Sequence, residues 1–115
     1  MYQIKCKNLQ DAAQKIYRFL SVPSLTRPEC SLWSEKGIPI MLSKGRGYTD
    51  EESLYEKIAS SGCAAVTCVA STDKNDKRRV VLNYMVKANI LVVNFPFANG
   101  KTNDAETQLF KILAG

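Results

Sequence analysis

Arg79-Val80-Val81-Leu82-Asn83-Tyr84-Met85-Val86, with Cys63–Ala70 before it and Ile90–Phe95 after it, decides the fold. Val80, Leu82, Tyr84 and Val86 fall on one side of an extended chain, and Val81, Asn83 and Met85 on the other. That two-residue period is the mark of a β-strand. Cys63–Ala70 is apolar almost throughout, which predicts a strand covered on both sides. The polar turn Thr72–Lys77 and the short turn Lys87-Ala88-Asn89 join the three runs into a meander.

Working upstream, Thr49 with Glu52 reads as a capping box, acidic residues fill the next turn, and Gly62 ends a second helix. Leu54, Ile58 and Tyr55 give it an inner face. Cys30–Ser34 and Ile38–Ser43 read as a hairpin around Glu35-Lys36-Gly37, with Gly37 suited to positive φ. Pro39 has no N–H, so its strand is expected at a sheet edge or to begin there. Pro23 and Pro28 bracket a loop. Further back, Asn8 caps a first helix over Leu9–Leu20, whose Leu9, Ala12, Ala13, Ile16, Phe19 and Leu20 follow helical spacing. Gln10, Gln14, Lys15 and Arg18 fall on its outer side. Tyr2–Cys6 is a short strand. Downstream, Asn103 with Glu106 caps a last helix whose Leu109, Phe110, Ile112 and Leu113 face inward. The order β-α-β-β-α-β-β-β-α predicts a single α+β domain over residues 1–115, a mostly antiparallel sheet packed by three helices.

The charge is segregated. Of the 115 residues, positions 1–48 hold eight basic and three acidic side chains, and 49–115 hold eight of each, so the net +5 belongs to the first half. A one-sided excess predicts a positive face toward an anionic partner. Histidine is absent, which excludes His-based triads, His-ligated zinc and imidazole acid–base chemistry. Cys6, Cys30, Cys63 and Cys68 lack tight metal spacing and read as reduced core thiols. Cys63 and Cys68, five apart in one strand, are expected on opposite faces. No metal or cofactor is expected: neither Gly-x-x-x-x-Gly-Lys-Ser/Thr nor Gly-x-Gly-x-x-Gly occurs. With no apolar run near the ~20 residues of a membrane span and no apolar leader core at the N-terminus, the chain reads as cytosolic.

Three basic groups invite a nucleic-acid reading. Lys44-Gly45-Arg46-Gly47-Tyr48 offers charge, close backbone approach and a stacking ring. Lys15 and Arg18, one turn apart, and Arg27 extend it if the fold brings them together. Lys77, Arg78 and Arg79 lie at a hairpin tip able to reach into a groove, although Asp73 and Asp76 dilute its field. The leading expectation is a non-catalytic accessory protein binding DNA or RNA. The alternatives are an adaptor or inhibitor that binds an acidic protein surface, possibly encoded by a phage or mobile element, and a His-free ribonuclease using Lys44, Arg46 and Tyr48. Trp33 and Phe95-Pro96-Phe97 read mainly as packing and strand exit. The Ile90–Phe95 strand is a candidate edge for homodimer formation.

Overall fold

Asn8 and Asp11 together start the first helix. In the computed structural model, which describes residues 2–23, 25–44, 50–71, 79–94, 109 and 111–114 (Tyr2, Lys44 and Arg79 as backbone only), β1 (Tyr2–Lys5) leads into α1 (Leu9–Leu20). The Asn8 side chain accepts the Asp11 N–H at 2.8 Å, and the Asp11 carboxylate accepts the Lys7 N–H at 2.9 Å. One N–H left open in the first turn is thereby satisfied, and the chain entering the helix is tied to that turn. Ala12, Ala13, Ile16, Phe19 and Leu20 are buried as the spacing predicts. Lys15 departs from expectation: it is buried, its Nζ 2.6 Å from Asp11 Oδ1.

β2 (Thr26–Trp33) begins four residues before the expected Cys30. Pro28 lies inside it, which the expected loop did not allow. The pairing with β4 is irregular between Thr26 and Glu29, and Arg27 there has φ 52°. A bulge leaves residues out of the ladder, so the missing proline N–H costs no sheet hydrogen bond. The turn to β3 (Pro39–Lys44) is as expected: Gly37 has φ 76°, and Ser34 N–H donates to Ile38 O at 2.9 Å.

α2 (Glu51–Ser61) starts one residue later than the Thr49 box implies. Asp50, in extended backbone, accepts the Ser53 N–H at 2.7 Å and is the N-cap. Gly62 closes the helix in the left-handed region, φ 67°, with open space where a Cβ would stand. Gly62→Ala is therefore expected to cost about 1 kcal/mol, through backbone conformation alone. A urea titration checks this; a loss several times larger would mean a steric role.

β4 (Ala65–Ser71), β5 (Arg79–Met85) and β6 (Ile90–Asn94) form the expected meander. Cys63 precedes β4 instead of starting it. Cys63 and Cys68 are both buried in the one core, so the opposite-face expectation fails. Residue Leu109 and residues 111–114 are helical and form the described part of α3, completing the order β-α-β-β-α-β-β-β-α. Leu109 and Leu113 join the core, whereas Ile112 is exposed. The Asn103 cap and Phe110 lie outside the described residues.

All six strands make one antiparallel sheet in the order β1-β6-β5-β4-β2-β3. β6 is internal, so the edges are β1 and β3, and the expected Ile90–Phe95 edge is not one. Burial alternates along β4 and β6. Val66, Cys68, Leu82, Tyr84, Leu91 and Val93 meet the helices in one core. The opposite face, including Thr67, Val69, Val81, Asn83 and Val92, is only half-buried. β4 is thus covered fully on one side, not on both. At its centre the Thr67 hydroxyl donates to Asn83 Oδ1 at 2.9 Å across the β4–β5 ladder.

Candidate interaction surface

The β3 edge carries the unusual chemistry. Ile38, Ile40 and Leu42 are 59%, 44% and 66% exposed, while Met41 between them packs against the core. Exposed large apolar side chains are otherwise confined to Met85 and Ile112 among the described residues. Single exposed aliphatics need no explanation, but Ile40 and Leu42 on one edge strand with Ile38 just before it do. An edge strand also offers unpaired backbone N–H and C=O groups to another chain. Natural edges are blunted with proline and lysine, and β3 has them only at its ends, Pro39 and Lys44.

The hairpin below this edge is braced. Lys87 Nζ lies 2.7 Å from Glu35 Oε1, and Ala64 N–H donates to Trp33 O at 2.8 Å. The Lys87 hydrogen bond and charge hold the Glu35 carboxyl below its usual range. An open cleft of about 480 Å³ runs along this end of the sheet, lined by Ser34, Glu35, Lys36, Gly62, Cys63, Ala64, Val86 and Lys87. Trp33 pairs with Pro39, and its Nε1 is buried without an acceptor among the described residues. Tyr84 donates to Asn89 Oδ1, and burial pushes its phenol up to about 12, so it stays protonated at neutral pH. No cluster of three metal-ligating side chains occurs among the described residues. No described helix is long and apolar enough to cross a membrane.

Of the described basic residues singled out in the sequence, Lys44, Arg27 and Arg79 fall at one end of the neighbouring strands of the sheet, while Lys15 and Arg18 lie on α1. Lys44 ends β3 opposite Glu29, and Arg79 begins β5 opposite Ser71. Lys15 is committed to Asp11. Arg18 is half-buried in the last turn of α1, and Arg27 is exposed in the β2 bulge. Arg46, Tyr48, Lys77 and Arg78 lie outside the described residues, as do Phe95, Pro96 and Phe97. Lys5 sits on the β1 edge, five strand spacings or roughly 24 Å from β3. The α2 start next to the Lys44 segment is acidic, with Asp50, Glu51 and Glu52. Glu51, Glu52 and Glu56 line a second cleft with Gln10 and Tyr55.

No protein-family model, curated protein or solved structure matches this chain. Its own geometry therefore carries the functional argument. Sequence reasoning placed Ile38–Ser43 in an edge hairpin but passed over its aliphatics as a site. The available signal was Ile38, Ile40 and Leu42 at alternate positions beside Pro39, an apolar face on a strand already expected at an edge.

Proposed function

We propose that this protein is a non-catalytic protein-interaction module that adds an extended strand of a partner protein to the β3 edge. The observation that supports it is the concentration of Ile38, Ile40 and Leu42 on that one edge. Strand addition draws affinity from main-chain hydrogen bonds and specificity from alternate side chains. The partner strand would carry apolar residues against the aliphatics and acidic residues at its ends. Lys36 and Lys44 flank the edge, Glu35 is engaged with Lys87, and the chain carries net +5. Nucleic-acid binding is the less favoured reading, since Lys15 is neutralised and acidic α2 adjoins the Lys44 segment.

A test starts from a nuclease-treated lysate, identifies a captured protein, and measures its binding in purified form. Leu42→Lys is expected to weaken that binding tenfold or more, the effect of one lost aliphatic contact of about 1.5–3 kcal/mol. Amide exchange at Ile40 and Leu42 is expected to slow in the complex. Binding that leaves these amides unprotected overturns the proposal. So does steeply salt-dependent capture of oligonucleotides alone, abolished by Lys44→Glu/Arg46→Glu.

A further inference from the structure

Cys30 and Cys68 stand directly opposite one another in the β2–β4 ladder, Sγ to Sγ 3.6 Å, 1% and 0% exposed. They come from strands far apart in sequence, yet their sulfurs are already in contact. A disulfide needs the sulfurs at about 2.05 Å and the Cβ atoms at about 3.5–4.5 Å. Side chains facing across an antiparallel ladder start with Cβ atoms about 4.5–5.5 Å apart. Rotation of both side chains and a slight strand approach close the gap.

We propose that Cys30 and Cys68 form a reversible cross-strand disulfide with hydrogen peroxide as oxidant. The Cys30 thiolate sulfur attacks one peroxide oxygen and the O–O bond breaks. The departing hydroxide takes the proton released by the Cys30 thiol, leaving water and a sulfenic acid on Cys30. The Cys68 sulfur then attacks the Cys30 sulfur, the S–O bond breaks, and a second water leaves with the Cys68 proton. Two thiols and one peroxide give one disulfide and two waters, with two electrons passing from sulfur to oxygen.

The roles follow from the hydrogen bond between the pair. Cys68 donates to Cys30, which holds the Cys30 thiol below its usual range, while the same bond and burial push Cys68 well above. Cys30 is therefore the attacking sulfur and Cys68 the resolving one. Access is expected at the β2 bulge, where the ladder is interrupted between Thr26 and Glu29, immediately before Cys30. Cys63 has a different partner, the Ile58 carbonyl oxygen at 3.9 Å from its Sγ.

The native protein is treated with peroxide, quenched by alkylation, and mapped by peptide mass. The expected result is a linked pair of peptides containing Cys30 and Cys68, the loss of two hydrogens in intact mass, and full recovery with a reductant. Cys30→Ala and Cys68→Ala each abolish the link; Cys6→Ala and Cys63→Ala leave it. The wild-type map alone decides the question if a variant does not fold. Both cysteines remaining as thiols while peroxide is consumed elsewhere overturns the proposal. So does a link that forms only at the rate of global unfolding.

Discussion

Phe19→Ala is expected to lower stability by about 3–5 kcal/mol, the range for removing a buried aromatic. Phe19 is fully buried on α1 beside Ile16 and Leu20, and α1 packs on α2 and touches β4. The ring thus belongs to the buried core of a helix that packs on both another helix and the sheet. Domains of this size are stable by only about 5–15 kcal/mol, so the variant is expected to lose roughly a fifth of its stability or more. Urea unfolding followed by tryptophan fluorescence measures it, with Trp33 as probe. The midpoint should fall with an unchanged slope. Ile112→Ala, on the exposed side of α3, should stay within about 0.5 kcal/mol. A loss below 1 kcal/mol at Phe19 would mean that α1 is not docked as described.

Asp11→Ala is expected to cost about 2–3 kcal/mol, and Lys15→Met almost nothing. Asp11 is the node of the α1 start: its carboxylate takes the Lys7 N–H and the Lys15 ammonium. Removing it returns the exposed Lys7 N–H to water and leaves a cation largely out of water without its partner. Replacing Lys15 by an apolar side chain of similar length removes the cation itself, and such exchanges are often neutral or stabilising.

The same pair sets an acid limb. The Lys15 hydrogen bond first, then the Lys7 N–H, hold the Asp11 carboxyl below its usual range. A carboxyl with a lowered folded-state pKa contributes its full stabilisation above the unfolded value of about 4 and loses it as pH falls through the folded value. Wild type should therefore lose this contribution below about pH 4, and Asp11→Ala should lack that component. Parallel curves for the two proteins between neutral and acidic pH would remove Asp11 from this role.

Local features were legible in the sequence. Asn8, the apolar period of α1 and Gly62 mark helix limits because their physics acts within a few residues. Pro39 indicated a sheet edge or a strand start, and β3 is an edge strand that begins there. Pro28 misled, because a proline reads as a strand breaker until a bulge is seen to excuse its missing N–H. Lys15 misled for a related reason. Its spacing from Asp11 was plain, but burial depends on how α1 rotates against its neighbours. The opposition of Cys30 and Cys68 depends on strand order, which no local pattern encodes. The basic residues illustrate the same limit: the register that sets Arg27, Lys44 and Arg79 at one end of the sheet is not written in their order along the chain.

The pairing of β1 with β6 has a consequence for synthesis. Tyr2–Lys5 is made well before its neighbour Ile90–Asn94, with four other strands and two helices between them. β1 must wait, unpaired, until Ile90–Asn94 has left the ribosome. Closing so long a loop is entropically slow, so β1 is expected to be the last strand to lock. A nascent chain halted before Ile90 would hold a sheet with a missing border and an unpaired β1 for chaperones or proteases to find.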